Sequence, residues 1–245
     1  MLDIGQVRIA EMDKQGIDVQ VLSMVQPGLE HTPGDRAIPV ARAFNDRVAA
    51  AISAHPDRFA GFAALPTADP AAAADELARA AGELGFKGAL VNGRTLERFL
   101  DDQFFWPIFE AAEALGVPIY LHPMPPPQAV YDAYYSGFGD AMGFMLARID
   151  DTIGGRTALD PAQSPMQLSV PEYFERNFHI TTSGLFTDPP LRCAIDTLGA
   201  DKVMFSVDHP FSDGGKARRW IDAAAISDEE RAKITHENAE RLLGL

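Results

Sequence analysis

The sequence predicts an α/β protein built on parallel strands. Three observations carry that expectation. Short β-type runs alternate with longer helical ones along the whole chain. The strand runs are apolar on both faces, as strands covered by helices on each side must be. Glycines and capping residues stand where helices should stop and start, with Gly85, Gly116 and Gly199 at helix ends and Ser227 three residues before Glu230 in a capping box.

The elements follow in order. "MLDIGQVRIAEMDKQG" has apolar residues at helical spacing and no signal-peptide core, so it reads as an amphipathic helix beginning almost at the first residue. Strands are expected at 19–24, 59–65, 88–92, 118–122, 178–183 and 203–208, six in all. Helices are expected in "RAIPVARAFNDRVAAAISAH", "PAAAADELARAAGELG", "QFFWPIFEAAEALG", "PPLRCAIDTLG" and "KARRWIDAAA", then in "SDEERAKI" and "HENAERLLGL". The gap from Pro118 to Phe178 is about twice its neighbours and holds a helical run, "FGDAMGFMLARIDDTIGG", but no strand. The first helix has no strand before it. A (β/α)8 barrel would therefore lack its first unit and the one after "PIYLH". An open, doubly wound sheet of six strands would lack nothing. No linker divides residues 1–245, which read as a single domain.

Composition narrows the partners. The chain has 245 residues, 47% hydrophobic and 23% charged, with a net charge of −14. Nucleic acid and anionic membrane are poor partners for such a surface. An anionic substrate would need a local cation. One cysteine, Cys193, excludes an internal disulfide and a Cys-rich zinc site, and fits a reducing cytoplasm. No run approaches the roughly 18 apolar residues of a membrane span.

In either architecture, sites form at the carboxyl ends of the strands. "PIYLHP" ends on His122, "VMFSVDHP" on Asp208 and His209, and "GALVNG" on Asn92. A neutral imidazole and a carboxylate suit Zn, Mn or Fe, and an aspartate can also move a proton. A catalytic ion wants about three protein ligands, and two good candidates are present. His209 adjoins Asp208, so on a strand it points to the other face and supports rather than ligates. His179 opens a strand, His55 leaves a helix, His236 starts the last one, and His31 lies in a loop able to cover the strand ends. Arg148 sits in an otherwise apolar helical stretch, where a guanidinium needs an anion: Asp150, Asp151 or a substrate carboxylate. No G-x-G-x-x-G, P-loop or G-x-S-x-G elbow occurs. "TTSG" offers hydroxyls at a strand end without a His–Asp relay.

The segments "DDQFFWPIFEAAEALGVPIYLHP", "NFHITTSG", "GADKVMFSVDHPF" and "ISDEERAKITHENAERLLGL" resemble the decarboxylase branch of the amidohydrolase superfamily, and "VLSMVQPGLE" and "HPDRFAGFAALP" fit the same pattern. The resemblance implies a (β/α)8, TIM-barrel-like fold, a homodimer or homotetramer, and one divalent ion, Zn or Mn. It implies a small carboxylate substrate. His122 matches the family's fifth-strand ligand and Asp208 its eighth-strand ligand and proton donor. Arg148 matches an arginine that reaches a neighbouring subunit's substrate, and Asn92 a loop beside the pocket. The family's first-strand Glu-x-His pair and the sixth-strand "GHxGE" segment have no counterpart, and they fall in the two units that the spacing leaves without strands. The expectation is thus a shortened, incomplete barrel. Its function would be non-oxidative decarboxylation. The alternatives are a metal-dependent lactone or amide hydrolase on the same scaffold, and a non-catalytic paralogue. A barrel lacking strands exposes edges, so low solubility or compensating oligomerisation is expected.

Overall fold

The structure, a computed structural model, describes residues 3–122 and 167–245. The chain divides into two units, Met1–Pro126 with Leu242–Leu245, and Pro127–Arg241.

The first unit begins with α1 (Gln6–Gln15), closed by Gly16 in the left-handed region at φ 66°. β1 (Gln20–Leu22) leads through a loop to α2 (Gly34–Ala54), and β2 (Phe59–Gly61) and β3 (Ala63–Ala64) form one run broken at Phe62. α3 (Pro70–Glu83) is started by the Asp69 carboxylate, which accepts from the Ala72 N–H, and by Pro70 in the first turn. β4 (Ala89–Asn92) is followed by a small antiparallel hairpin, β5 (Arg94–Thr95) and β6 (Arg98–Phe99), then α4 (Trp106–Leu115) and β7 (Ile119–His122).

The strand order distinguishes the two expected architectures. β2 pairs parallel with β1, β3 with β4, and β4 with β7, so each successive βα unit lies beside the one before it. A doubly wound sheet reverses direction at a switch point. The order here is the sequential order expected of a (β/α) barrel, interrupted at Phe62. There the chain stops pairing with β1 and starts pairing with β4: Phe62 N–H donates to Leu22 O at 2.8 Å, and Ala63 N–H to Gly88 O at 2.9 Å. Gly88, at φ +143°, lies so close to the Pro118 carbonyl that a Cβ would collide with it. Met12, Leu77 and Ile108 from the helices and Leu22, Phe59 and Val91 from the strands belong to one buried core. Asn45 and Glu76, both buried, tie α2 to β3 and α3.

The second unit holds α5 (Val170–Asn177), β8 (Ile180–Thr181), α6 (Asp188–Leu198), β9 (Val203–Met204), α7 (Gly214–Ala223), α8 (Asp228–Ala232), a wider helical turn at Lys233–Glu237 and α9 (Asn238–Leu243) as far as Arg241. The Ser227–Glu230 capping box is present, and a second one, Ser169–Glu172, starts α5, a helix that the pattern reading did not name. β8 and β9 pair in parallel. Leu191, Ile195, Val203, Ile221 and Ile234 form this unit's own core.

Both strands are shorter than the expected 178–183 and 203–208. After Met204 the ladder is taken over by side chains and by the terminal helical segment. The Thr182 hydroxyl donates to Ser206 O and accepts from Ser206 N–H, both at 3.0 Å, and Phe205 N–H donates to Ile234 O at 2.8 Å. Asn238, fully buried, donates to Ala200 O and Val203 O, each at 2.8 Å, fixing α9 to the start of β9. The hydroxyls of "TTSG" are thus structural: Ser183 donates to Ser206 Oγ at 2.8 Å. The expected helix at 138–155 lies outside the described residues.

Candidate active site

Each unit carries its own share of the expected site. In the first, β4 ends on Asn92 and β7 on His122, and the two are direct register partners across the parallel ladder. Parallel pairing thereby places an amide and an imidazole side by side at the carboxyl edge. The Gly93 N–H donates to His122 O at 3.0 Å and continues the pairing one residue further. His122 is half-buried, and its Nδ1 is shut off from solvent without a hydrogen-bond partner. A buried imidazole nitrogen normally finds a partner, so an unmet one at a strand's carboxyl end suits a metal ligand.

Asn92 is buried, and its Nδ2 donates to Glu30 Oε1 at 2.5 Å. Glu30 was not among the expected site residues. The loop "GLEHTPGD" drew attention through His31, which is exposed, while its neighbour Glu30 is 4% exposed. Leu96 N–H, in the hairpin after β4, donates to Glu30 O at 2.9 Å and pins the loop over the strand ends. Buried Thr67 and Thr95 share a hydroxyl bond of 2.7 Å between the segments after β3 and β4. The available signal was an acid three residues after the proline of a strand-ending "MVQPGLE", but nothing in periodicity marks such a residue as buried.

In the second unit, Asp208 does not end a strand. It stands four residues past Met204 at φ 56°, and its carbonyl accepts from Phe211 N–H at 2.8 Å and Ser212 N–H at 3.1 Å. Aspartate tolerates this left-handed conformation better than most residues. The tight turn fixes the Asp208 backbone, while among the described residues no donor reaches its carboxylate. The argument that His209 faces away by strand alternation loses its basis, because no strand runs through 208–209. Arg148 lies outside the described residues. Lys87 stands before β4, and its Nζ donates to Gly244 O at 2.9 Å. Among the described residues no three His, Cys, Asp or Glu side chains gather to hold a metal ion.

Sequential parallel strands with polar groups at their carboxyl ends define a (β/α) enzyme scaffold. The amidohydrolase family pattern matches this chain in two overlapping stretches, residues 3–178 and 166–245. The γ-resorcylate decarboxylase of Rhizobium sp. (strain MTP-10005) is 35% identical over 291 aligned positions, covering 100% of this chain and 88% of that enzyme. The dihydroxybenzoic acid decarboxylase of Polaromonas sp. JS666, solved with manganese and the inhibitor 2-nitroresorcinol, matches at a TM-score of 0.89 and 34% identity, over 100% of this chain and 87% of that one. The 5-carboxyvanillate decarboxylase of Novosphingobium aromaticivorans, solved with manganese and 4-hydroxy-3-methoxy-5-nitrobenzoic acid, matches at 0.92 and 29% identity, over 100% and 81%. The chain belongs to the amidohydrolase superfamily, in its metal-dependent decarboxylase branch. The Rhizobium alignment is longer than the 245 residues of this chain, so that enzyme carries residues within the matched span for which this chain has none.

Proposed function

We propose that this chain is a metal-dependent, non-oxidative decarboxylase of a small aromatic or unsaturated carboxylic acid. The observation that carries the reading is His122, a strand-end imidazole whose buried Nδ1 has no partner. The family's decarboxylase branch supplies the reaction class. His122 and Asp208 are the residues of this chain that would hold the ion, and a nitrogen–carboxylate donor set suits manganese or zinc. When bound, such an ion supplies Lewis-acid polarisation of the substrate carboxylate and an adjacent hydroxyl. Arg148 supplies the positive charge that an anionic substrate needs in a chain of net charge −14. Asn92 borders the substrate.

Asp208 delivers a proton from its carboxyl to the ring carbon that bears the carboxylate. The bond from that carbon to the carboxylate then breaks. Its electron pair returns to the ring, and carbon dioxide leaves. One proton is taken up per turnover and nothing is oxidised or reduced. His209, next to Asp208, supports the turn that positions it. The two family stretches and the long alignment span support one incomplete barrel domain over 1–245. Our reading adds a homodimer or homotetramer in the cytoplasm, as the resemblance implies.

The test is to incubate the purified chain with manganese and 2,6-dihydroxybenzoate and follow trapped carbon dioxide and resorcinol. Equal amounts of both are expected. A new carboxylic acid released from an ester, lactone or amide, with no carbon dioxide from any acid offered, would assign a hydrolase. Absence of stoichiometric metal together with absence of product would assign a non-catalytic paralogue.

A further inference from the structure

At the amino end of the β8–β9 ladder, an imidazole and two cations meet without an acid. Ile180 and Val203 form the first register pair, so His179 and Lys202, one residue earlier on each side, stand next to each other. Arg241 of α9 is held at the same place: its Nη2 donates to Asp201 O at 3.1 Å and to Asn238 Oδ1 at 2.9 Å. Both acceptors are neutral and leave its charge uncompensated. The carboxylate of Asp201 is taken by Lys233, whose Nζ lies 3.1 Å away. Among the described residues no acid pairs with His179, Lys202 or Arg241, although Glu237 and Glu240 precede Arg241 on the terminal helical segment. In a chain of net charge −14 this stands out. Arg58, Arg79, Arg98, Arg192 and Arg218 each hold a carboxylate at 2.9 Å or less. His179 and Lys202 are half-buried. Burial, then the charges of Lys202 and Arg241, hold the His179 imidazole below its ordinary value of 6.5, and a neutral imidazole still donates one N–H. Like charges gathered at a half-buried place repel each other, and an anion between them relieves the repulsion.

We propose that His179, Lys202 and Arg241 form a binding site for a phosphate-sized oxyanion. Lys202 and Arg241 meet its charge, and His179 donates a hydrogen bond to one of its oxygens. The recognised chemistry is the phosphoryl group, free or at the end of a phosphomonoester. The site lies at the opposite end of β9 from the turn that carries Asp208. The anion therefore stabilises the second unit and takes no part in the chemistry at Asp208.

The test is proton NMR of the histidine rings in the purified chain at about pH 7.5, titrated with inorganic phosphate and, separately, with glycerol 1-phosphate, each against sodium chloride at matched ionic strength. The chain has six histidines, and His179→Gln identifies the resonance. Inorganic phosphate is expected to shift the His179 resonance saturably between about 0.1 and 10 mM. At saturation it should also raise the melting midpoint of the second unit, read from Trp220 in a Trp106→Phe background, by about 2 °C or more. Lys202→Met keeps the apolar stem and should weaken binding at least about tenfold. Lys202→Gln takes its place if circular dichroism shows the methionine variant unfolded. Tighter binding of inorganic phosphate than of the ester would assign the free anion as ligand. Equal or tighter binding of the ester would assign the phosphoryl group of a larger molecule, and either result upholds the site. A His179 shift no larger than that in chloride, or unchanged affinity in the folded Lys202 variant, would overturn it.

Discussion

Replacing Asn45 with alanine removes three hydrogen bonds at one fully buried point. The Asn45 amide donates to Ala64 O at 3.0 Å and to Glu76 Oε1 at 2.8 Å, and its Oδ1 accepts from Ala64 N–H at 2.9 Å. Ala64 is itself buried, at the end of the interrupted run β2–β3. In the variant its N–H has no partner, which costs about 1–3 kcal/mol. The lost bond to ionised Glu76 contributes roughly another 1.5–3 kcal/mol. Glu76 itself is not stranded, because Arg79 donates to both its oxygens and Arg42 lies 3.3 Å away. The total, about 2.5–6 kcal/mol, is a large part of a typical domain stability of about 5–15 kcal/mol. The two tryptophans allow the assay to be local, since Trp106 belongs to the first unit and Trp220 to the second. In a Trp220→Phe background, Trp106 fluorescence reports the first unit alone. With a urea slope of about 2 kcal/mol per molar, the midpoint should fall by about 1.3–3 M. A fall of less than about 0.3 M would refute the reasoning, because it would mean that the Ala64 backbone is satisfied without Asn45.

Four further outcomes are expected. His122→Ala should lower bound manganese and reduce carbon dioxide release by about 100-fold or more, with the circular dichroism spectrum unchanged. Asp208→Asn should reduce release by about 1000-fold or more, since an amide at that position cannot give up a proton, and trapped carbon dioxide at the wild-type rate would refute the donor role. Ser227→Ala breaks the capping box of α8 and should cost the second unit about 1 kcal/mol, read from Trp220 in a Trp106→Phe background. Burial, with Lys202 and Arg241 adding positive charge, holds the His179 imidazole below its ordinary value of 6.5. The unfolded chain therefore binds that proton more readily, so the stability is full above 6.5 and is lost as pH falls through the depressed folded value. His179→Gln should flatten the acid side of the stability profile, and an identical profile in melts from about pH 7.5 to 5 would refute it.

The sequence by itself determined the alternation of strands and helices, because alternating apolar runs and caps are local signals. Gly116 in the left-handed region and the Ser227–Glu230 box are where the pattern put them. It also placed Asn92 and His122 at strand ends, since breakers follow both. What it misjudged was the length of the strands at 180 and 203. A run such as "VMFSVD" is apolar enough to be a strand throughout, but whether it pairs depends on where its N–H groups go. Here they go to the Thr182 hydroxyl and to Ile234 O, groups distant in sequence. Asp208 therefore reaches its position through a left-handed turn and not through strand alternation. Glu30 shows the same limit at the site. Its residue type and spacing say only that an acid lies in a loop, and burial of that acid against Asn92, 62 residues away, is decided by the parallel ladder and the hairpin that cover it. Tertiary structure alone decides which polar groups end without a partner, because that is a property of everything packed around them.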